Sequence, residues 1–253
     1  KNTYSSMKKA VVVGATSGIG MEVARLLANK GWQVAVAGRR EQLLDQLVAE
    51  NANIVASARV DITEENAADE VLALAERLGG MDLYFHSSGI GWQNPTLDPD
   101  KELRTVETNA LGFVRVVGAV FNYFASRADC VGHIAVISSI AATKGLGAAP
   151  VDSASKSFVA HDLESLSQLV SIRRTKNIHI HDIRPGFVRT ALLGDGGTYP
   201  MQMEPERVAK EIIAGIERDR SVITVDWRYR LLVMLWRMMP RWLWVKMRIV
   251  SKD

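Results

Sequence analysis

The sequence predicts a single doubly wound α/β domain, because strand-length apolar runs alternate with helix-period segments along the chain and a glycine-rich turn follows the first run. Apolar runs at 10–13, 34–37, 54–58, 83–85, 134–137, 178–183 and 222–225 read as strands. Helical periodicity fills the intervals. The first helix, 19–30, repeats apolar residues at 19, 23, 26 and 27, and comparable faces run over 41–50, 64–78, 101–126, 153–170 and 206–217. Strand, crossover helix and parallel strand in repetition give a Rossmann-type sheet with helices on both faces, and its near-continuous apolar strands suit burial on both sides. Such a sheet binds ligands beyond the carboxyl ends of its strands, where strand order reverses.

Bulk composition agrees. The chain has 253 residues, 47% hydrophobic and 23% charged, enough for one globular core and far from a disordered composition. Its net charge of +3 comes largely from Arg228, Arg230, Arg237, Arg241, Lys246 and Arg248, a local basic region and not the footprint of a nucleic-acid binder. One cysteine, Cys130, suits a reducing compartment, and the start lacks the charged-then-apolar pattern of a secretory signal, so a cytoplasmic location is expected. We divide the chain into a polar tail at 1–6, a dinucleotide domain at 7–226 that includes the substrate loops, and a Trp/Arg-rich extension of that domain at 227–253.

The first strand runs into Gly14-Ala15-Thr16-Ser17-Gly18-Ile19-Gly20, which passes directly into a helix. Glycines there let the backbone turn tightly and approach a pyrophosphate, whose charge then faces free amides and the positive end of the helix dipole. Glycine spacing alone is weak; its place at the head of a βαβ unit gives it force. The second strand ends in Gly38-Arg39-Arg40. A carboxylate there would bond a ribose 2′-hydroxyl, whereas arginine accommodates a 2′-phosphate, so NADP(H) is preferred over NAD(H). The alternative is that both arginines are only a solvated helix start.

These residues resemble the short-chain dehydrogenase/reductase family over nearly the whole chain. The glycine spacing matches the family's loop, Asp61 its aspartate near the adenine, Asn109 its helix asparagine, Ser139 its active-site serine, Lys156 its catalytic lysine, and Pro185-Gly186 with Thr190 its nicotinamide-amide contact. The resemblance implies a cofactor lying along Gly14, Thr16, Ser17, Gly18, Ile19, Gly20, Arg39, Arg40, Asp61, Ile62, Ser88, Gly89, Lys156, Pro185, Gly186, Val188 and Thr190. It implies hydride transfer between nicotinamide and a carbonyl or alcohol, with Asn109, Ser139, Lys156 and the residue at 152 as the catalytic set. It also implies a homodimer or homotetramer through the helices at 101–126 and 153–170.

Two positions depart from the family pattern. His86-Ser87-Ser88-Gly89 stands where relatives often carry Asn-Asn-Ala-Gly; His86 fits either a hydrogen-bond donor or a buried structural histidine. The family's catalytic tyrosine, four residues before the lysine, is here Asp152. Aspartate has a reference pKa of about 3.9, a lysine one turn away should lower it further, and it is shorter than tyrosine by about 3 Å. Losing a general acid/base costs about 10²–10⁴ in rate. Asp152 therefore fits a disabled or substituted reductase, an NADP(H)-binding pseudoenzyme acting as sensor or scaffold, or altered chemistry through a water; it also fits a helix N-cap.

Other constellations are weaker. A hydrolase triad around Ser139 lacks the Gly-x-Ser-x-Gly elbow. His179-Ile180-His181 has no third ligand in view and reads as structural, so no metal is expected. Trp92, Phe187, Leu192, Leu193, Tyr199, Met201 and Met203 make the loops after the fourth and sixth strands apolar, which suggests a lipophilic substrate. The segment from 227 to 250 is too charged, and too interrupted by Pro240, to span a bilayer. It fits a subunit interface, a cover for the substrate cleft, or peripheral contact with a membrane.

Overall fold

The apolar runs pair as seven parallel strands: β1 (Lys9–Val13), β2 (Gln33–Gly38), β3 (Ile54–Arg59), β4 (Leu83–His86), β5 (Gly132–Ile137), β6 (Ile178–Arg184) and β7 (Val222–Thr224). The structure, a computed structural model, describes residues 8–127, 130–190 and 199–247. Strand order is β3-β2-β1-β4-β5-β6-β7, so the chain reverses direction across the sheet between β1 and β4. Sheets of this kind hold their ligands in a crevice beyond the carboxyl ends of the strands at that point.

Alternation along each strand feeds two cores. Ala10 and Val12 face α1 (Gly18–Asn29) and α7 (Pro205–Glu217), joined there by Leu44 and Leu47 of α2 (Glu41–Glu50). Val11 and Val13 face the opposite layer, α3 (Ala67–Arg77), α5 (Phe113–Ala125) and α6 (Pro150–Arg173).

Two helices differ from expectation. The segment predicted as one helix over 101–126 is α4 (Pro99–Val106), a π-helical turn (Glu107–Gly112) and α5. The inserted residue of a π-turn re-aims its neighbours, and this one carries Asn109. Helix α6 begins at Pro150, where a missing N–H costs nothing, and Ala149 is its N-cap. Asp152 thus lies inside the first turn, and the N-cap reading of it does not hold.

After β7 the chain turns through Asp226, at φ +68°, into α8 (Trp227–Met238) and the short α9 (Arg241–Trp244). The buried Asp226 carboxylate accepts from the Arg228 amide and pairs with Arg207 at 3.1 Å and Arg228 at 2.7 Å, and these partners hold its pKa down. Tyr229 then anchors the extension: its hydroxyl donates to Pro200 O (3.0 Å) and Met201 O (3.2 Å) and accepts from the Phe187 amide at 3.1 Å. Gly186 lies flat on the ring, where a Cβ would fall 2.2 Å from a ring carbon. Gly186→Ala is therefore expected to destabilise the protein by about 1–3 kcal/mol through overpacking. In a thermal melt that is a drop of about 2–4 °C per kcal/mol; an unchanged midpoint would contradict this packing.

Candidate active site

The glycine loop closes on itself at the head of α1. Gly14 (φ +83°) and Gly18 (φ +56°) adopt the left-handed backbone, and a Cβ on Gly14 would sit 2.6 Å from the Ser87 and Ser88 backbone. Gly20 leaves no more room, since its Cβ would lie 2.3 Å from Gly14 O. The loop after β1 is thus pressed against the loop after β4 at the reversal point. Ser17 is the N-cap of α1 but makes no side-chain cap bond, so the amides that open the helix, with Ile19 buried beneath, remain available to an anion. Thr190 closes over this turn: a Cβ on Gly18 would meet its methyl at 2.8 Å.

The two arginines separate in role. Arg40 turns inward, its Nη2 donating to Thr16 O and Thr16 Oγ1 at 3.0 Å each, and so braces the glycine loop. Arg39 is exposed and makes no hydrogen bond or ion pair among the described residues. Its guanidinium is thus wholly unengaged at the end of β2, whereas that of Arg40 is partly committed to Thr16. After β3, Asp61 Oδ1 accepts from Thr63 N (3.1 Å) and Thr63 Oγ1 (2.8 Å). Ile62 is buried against Gly112, whose Cβ would lie 2.9 Å away, and its carbonyl accepts from Arg115 at 2.9 Å.

On the other side of the crevice Asn109 ties three elements together. Its Oδ1 accepts from the Ile90 amide at 2.9 Å, and its Nδ2 donates to Ile90 O at 2.7 Å and Ser155 Oγ at 3.0 Å. Gly89 packs between Asn109 Oδ1 and Lys156 Nζ, 3.3 and 3.2 Å from where a Cβ would stand. The Asp152 carboxyl lies over Gly91, its Oδ1 2.6 Å from that residue's Cβ position. Asn109, Asp152 and Lys156 therefore line one wall. Ser139 follows β5 by two residues as the cap of a 3₁₀ turn (Ile140–Thr143), its Oγ accepting from the Ala141 amide at 3.0 Å, which leaves its hydroxyl proton free to donate. Pro185 O accepts from the Ile140 amide at 3.1 Å and so joins the turn after β6 to the turn after β5. Val188 is buried and bridges to Met203.

The electrostatics correct one expectation. Asp152 does not titrate below the ordinary carboxylate range: burial raises its pKa, and the Lys156 charge offsets only part of that rise. Burial likewise lowers Lys156, with Asp152 acting in the opposite sense. His86, buried behind this wall, is held down to about 3 by burial and then by Lys156, so it is neutral, and Tyr84 lies 2.7 Å from its Nδ1. The structural reading of His86 fits this geometry.

A family model for short chain dehydrogenases matches residues 8–197. The chain belongs to the short chain dehydrogenase family. An uncharacterized oxidoreductase of Myxococcus xanthus is 31% identical over 242 residues, which cover 93% of this chain and 94% of that protein. Among solved structures, an actinorhodin polyketide ketoreductase with NADPH is 26% identical with a TM-score of 0.74, covering 87% of this chain and 95% of its own. A short-chain dehydrogenase of Sphingobium yanoikuyae in complex with NADPH is 20% identical with a TM-score of 0.78, covering 98% and 99%, and supports the fold.

Several parts of this short chain dehydrogenase were invisible in the sequence. Ser155, which holds the Asn109 amide, reads as one more polar helix residue. Ser138 donates to Asp182, which pairs with Arg184 at 2.6 Å, and this buried network fixes the ends of β5 and β6 behind Ser139. Of the apolar loop set, Leu192 and Leu193 lie outside the described residues, and Met203 is buried in the core and does not line the cleft. Phe187 stacks on Tyr199 at 4.7 Å, and Gln93 reaches the Tyr199 hydroxyl at 3.3 Å, joining the loops after β4 and β6. His179 and His181 do have neighbours: one ligand atom each from His133, His179 and Asp219 fall within 4.8 Å of one another. His133 stacks on both other rings, His179 bonds Asp219 at 2.7 Å and His181 bonds Arg220 O at 2.7 Å, a hydrogen-bonded stack at the far end of the strands.

The coupled wall yields a titration test. Asp152→Asn should move the Lys156 midpoint further down, and Lys156→Met should move the Asp152 carboxyl further up, each read by carbon-13 NMR of the side chain. Because the folded pKa of Asp152 is raised, its contribution to stability is full below 3.8 and is lost as pH rises through the raised midpoint. Midpoints that do not respond to the partner's removal would contradict the coupling.

Proposed function

We propose that this protein is an NADP(H)-dependent oxidoreductase that interconverts a lipophilic carbonyl and its alcohol, with Asp152 in the place of the family's tyrosine and turnover consequently slow. The observation that carries the reading is the convergence of Asn109, Asp152 and Lys156 on Gly89–Gly91, the continuation of the Ser87–Ser88 backbone against which the glycine loop packs. The cradle fits a dinucleotide: its glycines leave no space for a side chain, the amides opening α1 are uncapped, and Arg39 is unengaged among the described residues. NADPH rather than NADH follows from that free guanidinium and agrees with the ligand of the similar ketoreductase.

Bound NADPH supplies the hydride; the protein handles the proton. Ser139 donates its hydroxyl to the substrate oxygen. Asp152, raised by burial, keeps a proton further toward neutrality than a solvated aspartate and gives it to that oxygen, through a water that makes up its shorter reach. Lys156 restores the charge balance once the carboxylate forms. Exposed Leu111, Val114 and Phe158 on the α5 and α6 side support a homodimer or homotetramer, and a lone Cys130 supports a cytoplasmic setting.

Two measurements test this. Arg39→Ala should weaken NADPH binding by about 10–100-fold, the loss of one or two charge-assisted hydrogen bonds, and leave NADH nearly unchanged; tighter NADH than NADPH binding in the parent protein would overturn the cofactor assignment. On a panel of lipophilic ketones, Asp152→Tyr should raise the NADPH oxidation rate by about 10²–10⁴. If neither form turns over, the protein binds NADP(H) as a sensor or scaffold instead.

A further inference from the structure

The C-terminal extension has two faces, and only one is explained by the cleft. Tyr229, Val233 and Trp236 form the inward row of α8. Trp236 donates to Thr143 Oγ1 at 2.8 Å, Trp244 donates to Gly145 O at 2.7 Å, and Lys144 reaches back to Met239 O at 2.9 Å, so the extension covers the loop after β5. Directly opposite, Trp227, Leu231, Met234, Leu235 and Met238 occupy an arc of about 100° at 3.6 residues per turn. All five are exposed, Trp227 by 65% and Met238 by 76%, and Trp242 and Val245 extend the surface past α9. A contiguous stripe of this kind signals a docking face.

Its surroundings say what it docks on. Arg230 and Arg237 stand seven residues apart on one flank of the stripe, the same side of the helix. Beside Trp227 a cavity of about 310 Å³ opens between the end of α7 and the start of α8, with Arg207, Glu211, Arg218, Arg220 and Arg230 in its lining. Glu211 is spent on Arg207 at 3.2 Å, and Arg207 also pairs with Asp226. Arg218, Arg220 and Arg230 have no acidic partner among the described residues, so the cavity carries net positive charge beside an exposed indole.

We propose that the α8–α9 face binds an anionic lipid bilayer: the stripe enters the interface, Trp227 and Trp242 sit at headgroup level, and the arginine cavity takes a lipid phosphate. A helix with apolar and basic faces lying in the membrane plane has this composition. An antiparallel two-fold contact with a second copy would instead set the Arg230/Arg237 flank against its own counterpart. The proposal does not depend on turnover. It does place the cover of the loops after β5 and β6 at the bilayer, where the lipophilic substrate of the proposed function is concentrated.

Sedimentation with phosphatidylglycerol/phosphatidylcholine vesicles tests it on the full chain, with the thermal midpoint as the folding control. Binding should be at least about tenfold tighter than to phosphatidylcholine alone and should fall with added salt. Leu235→Glu with Met238→Glu should abolish it, and Arg218→Glu with Arg230→Glu should weaken it at least about tenfold, both with unchanged midpoints. Equal affinity for neutral vesicles would overturn the role of the arginines. Absence of vesicle binding would overturn the proposal, and a dimer that the stripe variants dissociate in analytical ultracentrifugation would overturn it in favour of a second copy.

Discussion

A buried lysine constrains everything around it. Lys156 lies on the inner face of α6, and a buried ammonium is tolerated only where opposite charge or oriented dipoles compensate it. Asp152, one turn earlier, supplies that charge when its carboxyl is ionised. Their mutual effect is opposite to what each suffers from burial, so neither group titrates as it would in water. His86 stays neutral under the same influence, and a second cation is thereby kept out of the wall. The arrangement relies on Asn109, whose carboxamide fixes the backbone at Ile90 and, through Ser155, the helix that carries the pair.

What the sequence revealed, and what it hid, divides along physical lines. Strands and helices were legible because burial on both faces writes an apolar run and burial on one face writes a helical period. The glycine loop was legible because its residues are forced by close approach: Gly14 and Gly20 have backbone where a Cβ would be. The two arginines at the end of β2 were legible as a pair but not as individuals, since only the fold turns Arg40 onto Thr16 and leaves Arg39 outside. The direction of the Asp152 shift was misjudged from spacing alone. Proximity to a lysine is written in the sequence, whereas the desolvation that outweighs it is a property of the packed wall. The π-turn at Asn109 left no signal, because a one-residue insertion in a helix preserves the apolar period on either side.

The same reasoning separates the two sides of the C-terminal extension. Its tryptophans and arginines stood out in the sequence without declaring their faces. Packing assigns Tyr229 to the loop after β6 and Trp236 and Trp244 to the loop after β5, and leaves a second apolar row to the surface. Of the cavity arginines only Arg230 shares α8 with Trp227; Arg207, Arg218 and Arg220 come from α7 and the turn after it, so no local pattern could have grouped those three with Trp227.

The central claim is that Asp152 is the proton-bearing group of a site otherwise built as a reductase. The pH dependence of ketone reduction by NADPH, compared between the protein and Asp152→Asn, tests it most directly. The account predicts a rate highest in acid and falling as pH rises through the raised Asp152 midpoint, with that limb absent from the asparagine variant. A rate that climbs with pH, or a profile that the substitution leaves unchanged, would contradict it.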